Sequence, residues 1–240
     1  MDGEPEAARS GARQETVKRI VVFDVNETLL DLSSLDPLFE LVFGDRSVRR
    51  EWFATVLRYS HVVTIAGPYV DFSALGRAAL DMVAASRGVS LTEDHRDRIL
   101  AGVMSLPAHG DVPVALERLR VAGFRLVTLT NSAPSVVRHQ LANVDVAKYF
   151  ERVFSVDAVQ RFKPAPEVYG LVAHELAVAP SQLRLVAAHA WDVLGALRGG
   201  YAAAFVARPG QVLYPLGPQP DIMGADLVAV ADQIIAVDTA

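Results

Sequence analysis

Short apolar runs that alternate with helical patterns constrain the fold of this chain more than any other feature. Five runs predict buried strands, at residues 19–22, 124–130, 153–156, 183–188 and 201–206. A sixth run predicts a short edge strand at residues 227–230. Helical patterns follow at residues 112–122, 134–142, 166–176 and 191–198. Strands that alternate with helices form a parallel sheet covered on both faces, so we expect a Rossmann-like α/β core.

The alternation breaks once, directly after the first strand. Residues 32–106 carry helical patterns at 35–43, 46–65, 72–87 and 92–105, and no convincing strand. An insertion at this point would cover the crevice at the carboxyl ends of the strands. We therefore expect a four-helix cap domain of residues 32–106 on a core of residues 17–31 and 107–240.

Composition and charge exclude several classes of function. The formal net charge is −5, which does not suit a nucleic-acid or anionic-membrane surface. The chain has no cysteine, so disulfides, thiolate metal sites and a cysteine nucleophile are excluded. Residues 1–16 are polar and lack the apolar core of a signal peptide. We expect a disordered leader there and a cytoplasmic protein without a membrane span.

Polar side chains stand where the predicted strands end. Asp24 follows the first strand, Thr130 and Asn131 end the second, and Asp192 follows the fourth. Each residue alone fits a helix cap or a loop, and Lys163 alone fits a solvated loop. Because the carboxyl ends of parallel strands meet at one crevice, the set predicts a site with two carboxylates, one cation and small groups that can hold an anion.

Together these motifs resemble the haloacid dehalogenase superfamily, over roughly residues 20–235. The chain looks most like the type II 2-haloacid dehalogenases. Asn26 stands where phosphatase members keep a second Asp, and the segments at residues 155–160 and 190–192 resemble that group's patterns. The resemblance implies hydrolysis of the carbon–halogen bond of a small 2-haloalkanoic acid through an aspartyl ester.

The resemblance also implies a role for each site residue. Asp24 is the expected nucleophile, which Thr28 and Lys163 orient. Lys163 would stabilise the ester oxyanion, and Asp192 would orient or deprotonate the attacking water. Thr130 and Asn131 would hold the substrate carboxylate. The residues expected to form the substrate pocket are Asn26, Phe53, Leu57, Phe72, Thr130, Asn131, Tyr169, His189 and Trp191.

Asn26 bears on the choice between a dehalogenase and a phosphatase. An amide cannot donate and take back a proton as a carboxylic acid does. A phosphate ester loses an alkoxide that needs such a proton, whereas a halide leaves without one. We therefore expect no metal and no cofactor, with Mg²⁺ required only if the phosphatase alternative holds. The expected partner is a small anionic substrate, and the resemblance suggests a homodimer.

Three positions depart from the family pattern. Phe53 stands where well-studied dehalogenases carry an Arg that receives the halide and steers the substrate. Ala187 and His189 stand where the family has Ser and Asn. The catalytic core is kept, and the side of the site that receives the leaving group is changed.

Several explanations of these departures stay open. Arg50, Arg58 or His61 could replace the missing Arg. The leaving group could be smaller, such as fluoride, with His61 or His189 donating a hydrogen bond. The substrate could instead be another small electrophilic carboxylate, such as a strained ring. A phosphatase and a non-catalytic binding role are the alternatives from other classes.

Overall fold

A six-stranded parallel sheet forms the centre of the protein, which a computed structural model describes over residues 18–239. Its strands are β1 Ile20–Phe23, β2 Leu126–Thr130, β3 Arg152–Ser155, β4 Leu183–Ala187, β5 Ala202–Val206 and β6 Ile222–Gly224. The strand order is β3-β2-β1-β4-β5-β6, with every neighbouring pair parallel. The predicted Rossmann-like core is confirmed.

Nine α-helices accompany the sheet in the described residues. They are α1 Asp36–Phe43, α2 Val48–Ala66, α3 Phe72–Ser86, α4 Glu93–Met104, α5 Val112–Val121, α6 Pro134–Asn143, α7 Pro166–Leu176, α8 Ala190–Arg198 and α9 Leu227–Asp238. Proline begins α6 and α7, where its missing N–H costs no hydrogen bond. Because β1 lies between β2 and β4, the loop after β1 is at the point where the strand order reverses, the usual ligand crevice of such sheets.

The predicted edge strand at residues 227–230 is wrong, because these residues form the first turn of α9. Asp226 caps this helix, and its carboxylate accepts a hydrogen bond of 2.8 Å from the backbone N–H of Ala229. The apolar residues then recur with helical spacing, and the edge of the sheet is formed by β6 instead.

Helices α1–α4, called the helical insertion below, lie between β1 and β2 in the chain. Inside it, the Trp52 indole on α2 donates a 2.9 Å hydrogen bond to the carbonyl of Gly76 on α3. The Gln140 amide on α6 donates a 2.7 Å bond to the Val103 carbonyl, which ties the insertion to the core. The four predicted helices are present, and the division into a cap and a core at residues 31/32 and 106/107 stays a prediction.

Some expectations are not tested by this fold. No helix within residues 18–239 combines the length and apolar character needed to cross a bilayer. The predicted leader of residues 1–16 lies outside the described residues. The cytoplasmic location, the homodimer and the absence of a nucleic-acid partner stay predictions.

Candidate active site

Asp24 lies directly beyond β1, and its side chain is held at both oxygens. The Thr28 hydroxyl donates to Oδ2 at 2.6 Å, and Lys163 Nζ donates to Oδ1 at 3.0 Å. The backbone N–H of Asp24 bonds the Val186 carbonyl at 3.0 Å, which fixes the loop against β4. The carboxylate is buried, so its rotamer is set by these contacts and not by solvent.

Lys163 joins Asp24 to the second strand-end carboxylate. Its Nζ lies 2.7 Å from Asp192 Oδ2, and the Tyr169 hydroxyl donates to Asp192 Oδ1 at 2.7 Å. Both Lys163 and Asp192 have no exposed surface. Both oxygens of Asp192 are therefore occupied by protein donors.

Burial and charge set the protonation of this cluster in opposite directions. Burial tends to raise the pKa of Asp24, but the Lys163 charge, His189 and the Thr28 hydroxyl outweigh it and hold that pKa well below its usual range. Burial and the charge of Asp24 raise the pKa of Asp192. The pKa of Lys163 is raised by the two carboxylates in spite of burial. Asp24 is thus an anion beside an ammonium, the state that a carboxylate nucleophile requires.

A small space beside Asp24, called the catalytic pocket below, has a volume of about 10 Å³. That volume accommodates about one water molecule. It is lined by Asp24, Asn26, Phe53, Leu57, Phe72, Thr130, Asn131, His189 and Trp191. All predicted substrate residues except Tyr169 thus lie around one space.

Tyr169 is placed differently from the expectation. It is fully buried and stands behind Asp192, with its hydroxyl on that carboxylate. Its contacts support the Lys163–Asp192 pair instead of lining the substrate pocket.

Polar groups at the end of β2 form the side of the catalytic pocket suited to an anion. Thr130 Oγ1 accepts a 3.1 Å bond from the Ser132 N–H, and Asn131 Oδ1 accepts a 3.2 Å bond from the Lys163 N–H. The Asn26 amide donates to Ser132 Oγ at 3.2 Å. Because Asn131 uses its oxygen on the protein, its NH₂ is the group left to donate to a ligand.

Two larger spaces adjoin the catalytic pocket. The first, called the apolar chamber, has about 300 Å³ between the helical insertion and the core and is lined mainly by apolar side chains. The second, called the outer cavity, also has about 300 Å³ and is lined by Arg49, Arg50 and Gln211 among others. Among the described residues, Phe53 alone lines all three spaces. The Phe53 ring, at the position where the family carries an Arg, therefore stands at the junction of the three spaces.

None of the proposed substitutes for the missing Arg lines the catalytic pocket. Arg50 lies in the outer cavity, and Arg58 is exposed. His61 packs edge-on against Trp191, with ring centroids 5.4 Å apart. Among the described residues that line the pocket, His189 is the one whose side chain can carry a positive charge.

Sequence reasoning missed the residues that hold His189. Glu27 Oε2 lies 2.8 Å from His189 Nε2 and accepts a 3.2 Å bond from the Gln211 amide. Arg49 Nη1 lies 3.5 Å from Glu27 Oε1. Arg49 precedes Phe53 by one helical turn on the same face of α2, so helical spacing could have found it. No sequence signal pairs Glu27 with His189, since they are 162 residues apart.

The carboxylates of this site do not form a metal cluster. Asp24 and Asp192 both accept a hydrogen bond from Lys163 Nζ, which lies between the two carboxylates. Within residues 18–239, no group of three or more His, Asp or Glu side chains is arranged to hold a metal ion. The residues present therefore do not fit the Mg²⁺ that the phosphatase alternative requires.

Comparisons with known proteins agree with this geometry. A family model for haloacid dehalogenase-like hydrolases matches residues 18–200. The (S)-2-haloacid dehalogenase 2 of Pseudomonas sp. (strain CBS-3) is 31% identical over 212 residues, which cover 87% of this chain and 93% of that protein. The (S)-2-haloacid dehalogenase of Xanthobacter autotrophicus is 31% identical over 195 residues, which cover 80% of this chain and 76% of that protein.

A solved structure shows the same fold. The L-2-haloacid dehalogenase from Xanthobacter autotrophicus, with chloropropionic acid covalently bound, superposes with a TM-score of 0.85 at 26% identity, over 92% of this chain and 99% of that chain. The family match, the relatives above 30% identity along most of both chains and the shared fold confirm the resemblance, and this protein belongs to the haloacid dehalogenase-like hydrolases.

Proposed function

We propose that the protein hydrolyses the carbon–halogen bond of a small 2-haloalkanoic acid through an ester of Asp24. The observation that carries this proposal is the state of Asp24. It is an anion held by Thr28 and Lys163, and within residues 18–239 it is the only carboxylate that lines the catalytic pocket. A positioned carboxylate of this kind is suited to displace a leaving group from carbon.

In the first step a carboxylate oxygen of Asp24 attacks the carbon that bears the halogen. The new carbon–oxygen bond forms as the carbon–halogen bond breaks, and the halide leaves with the bonding electrons. Lys163 and Thr28 hold Asp24 in line for this attack. The relative with covalently bound chloropropionic acid supports an intermediate of this class.

The Asn131 amide and Thr130 are the proposed anchor for the substrate carboxylate. Both line the catalytic pocket, and both precede α6, whose N-terminal N–H groups favour a negative charge. This anchor would place the second carbon of the acid next to Asp24. Asn26 lines the same pocket, and its NH₂ donates a hydrogen bond to Ser132. An amide is not a general acid, so Asn26 cannot protonate an alkoxide leaving group.

A fluorinated acid is a second candidate, because of the size of the pocket. About 10 Å³ of free volume favours the smallest halogen, and Phe53 fills the space where the family Arg would receive a larger halide. The same nucleophile and carboxylate anchor serve both candidates.

Halide release from two- and three-carbon 2-fluoro, 2-chloro and 2-bromo acids, measured in excess EDTA, tests the proposal. We expect halide and 2-hydroxy acid in equal amounts, without added metal. Aryl phosphates with Mg²⁺ form the matched panel, from which we expect no phosphate. Phosphate release that EDTA abolishes, with no halide from any acid, would contradict the proposal and favour the phosphatase alternative.

A further inference from the structure

The second half of the proposed reaction needs a base, and Asp192 does not reach the water. An ester of Asp24 is hydrolysed when water attacks its carbonyl carbon, and a group beside that water must take its proton. Asp192 is fully buried, does not line the catalytic pocket, and has one oxygen on Lys163 and the other on Tyr169. Its contacts explain how Lys163 is held, but leave the water without a base.

His189 occupies the position that a base requires. It is 4% exposed, lines the catalytic pocket, and places Nδ1 at 3.4 Å from Asp24 Oδ2. That nitrogen is buried and has no hydrogen-bond partner among the described residues. The space that His189 and Asp24 line has room for about one water molecule, so a water there would lie beside both side chains.

Glu27 fixes the ring from the opposite side. Its carboxylate lies 2.8 Å from His189 Nε2, and stacking on Trp191 at a centroid distance of 5.1 Å restrains the ring plane. Glu27 has a φ of 62°, in the left-handed region that is unfavourable for a residue other than glycine. Such conformations persist where the surroundings hold them, and they concentrate at functional sites.

We propose that His189 is the base that activates the hydrolytic water and that Glu27 is the residue that positions it. The arrangement is a nucleophile, a base within reach of it and a carboxylate that orients the base, which is the general logic of an activated site. This inference rests on the proposed function, since it needs an ester of Asp24 as its substrate.

The charge of the site makes His189 a base at the right moment. Burial tends to lower the pKa of His189, but Asp24 and Glu27 outweigh it and raise that pKa to about 9 in the free protein. Esterification removes the charge of Asp24, which is one of these two anions. The imidazolium is then less stable and releases its proton to solvent after the halide departs. The lower pKa of His189 in the ester favours the neutral imidazole, which is the form that can take the proton of the water.

The proton count closes over the cycle. Neutral His189 takes a proton from water, and the hydroxide adds to the carbonyl carbon of the Asp24 ester. The bond from that carbon to the substrate oxygen breaks, and the departing alkoxide takes the proton from His189 to become the 2-hydroxy acid. The Asp24 carboxylic acid passes its own proton to His189, which restores the starting ion pair. The sum is haloacid and water in, hydroxy acid, halide and one proton out.

The variant His189→Gln tests the role of the base with 2-chloropropionate in the full chain. Gln keeps a polar side chain of similar length but cannot take the proton. We expect one chloride per protein in a rapid burst, then steady turnover about 10² to 10⁴-fold slower than in the wild type. Intact-mass measurement should show the propionate adduct on Asp24 in the variant and not in the wild type. His95→Gln, a half-buried histidine on α4 away from the pocket, is the matched control and should behave as the wild type.

Glu27→Gln tests the positioning role by a readout that packing alone does not move. We expect the pKa of His189, followed by its ring protons in NMR, to fall below about 9, and the pH profile of adduct hydrolysis to shift with it. Glu27→Asp, which keeps the charge on a shorter side chain, should recover part of the loss. An unchanged His189 pKa in Glu27→Gln would overturn the positioning role.

The outcomes separate this inference from the proposed function. A burst with an accumulated adduct supports both. Two results would overturn the role of His189 as the base for hydrolysis. The first is turnover of folded His189→Gln within a few-fold of the wild type. The second is a slow first chloride without adduct, because formation of the ester, and not its hydrolysis, would then be the step that the variant slows. No halide from any acid of the panel by the wild type means that the proposed function fails.

Discussion

Two ion clusters, each with a fully buried cation that bonds two carboxylates, lie at opposite ends of the sheet. Their members are Lys163 with Asp24 and Asp192, and Arg184 with Asp221 and Asp238. The Lys163 cluster lies beyond the carboxyl ends of β1 and β4, and the Arg184 cluster begins at the amino end of β4. Both cations are fully buried, so burial of a charge does not by itself identify the active site. The Arg184 cluster is the more open of the two, because Arg19 also bonds Asp238 and the Asp221 side chain is half exposed.

Access to a cavity is what separates them. Asp24 lines the catalytic pocket, whereas Arg184 lines none of the three spaces described above. Arg184 instead donates to Asp238 at the end of α9 and to Asp221 before β6, which ties both elements to β4. The comparison teaches that a buried ion cluster becomes a reactive site only where one member faces space for a substrate.

Replacing the central cation of each cluster should give the largest difference between the two clusters. Lys163→Met leaves two buried carboxylates without their cation, so we expect it to lower the free energy of unfolding by about 3–5 kcal/mol. Arg184→Met should lower the free energy of unfolding by less, because Asp238 keeps its bond to Arg19 and the Asp221 side chain is half exposed. Only Lys163→Met should also lower kcat, by about 10²–10³-fold, because it removes the cation that faces the reacting atoms. Denaturant unfolding and kcat per folded protein measure the two effects. Equal kcat losses in the two variants would show that stability alone governs activity.

Phe53 offers a smaller test, on the side of the site that departs from the family. Phe53→Arg adds a charge-assisted donor, worth about 1.5–3 kcal/mol, and should raise kcat for 2-bromopropionate. Phe53→Ala joins the catalytic pocket to the apolar chamber and should mainly lower KM for longer 2-chloro acids. The wild type should be poor with bromo and iodo acids. Strong bromo-acid activity that Phe53→Arg reduces would place the halide elsewhere.

The pH dependence of stability tests the charges that surround His189 beside the Lys163 cluster. Asp24 and Glu27 face His189, and Lys163 and Arg49 stand beyond these carboxylates. The pKa of His189 is about 9 in the folded protein, above its ordinary value of 6.5. Protonated His189 therefore contributes fully to the free energy of unfolding below pH 6.5, and this contribution is lost as the pH rises through 9. The shift corresponds to about 3 kcal/mol at most. Unfolding free energies at pH 6 and pH 10 should differ less in His189→Gln than in the wild type.

The sheet and the strand-end residues could be predicted because both are local properties of the sequence. A short apolar run followed by polar residues indicates a buried strand, and the residues that follow it lie at the crevice. Asp24 and Asp192 needed no more than this. The run at residues 227–230 shows the limit, because four apolar residues fit a strand and a helix equally well.

The contacts of the site were beyond such reasoning. The sequence indicates that Asp192 accompanies Lys163, but only the packing shows that Tyr169 takes its other oxygen. Glu27 meets His189 because a left-handed turn in the loop after β1 directs its side chain across the crevice. Pairings of this kind depend on backbone torsions and on distant segments, neither of which a local pattern encodes.

The central claim is that Asp24 forms an ester, and a single turnover in ¹⁸O-water tests it most directly. With protein in excess over 2-chloropropionate, hydrolysis of an ester at its carbonyl carbon places the label in Asp24, where peptide mass measurement detects it. Asp24→Asn, which should release no halide, is the control for adventitious exchange. Label in Asp24 with unlabelled lactate is the predicted result, whereas label in lactate and none in Asp24 would contradict the account, because water would then have attacked the substrate directly.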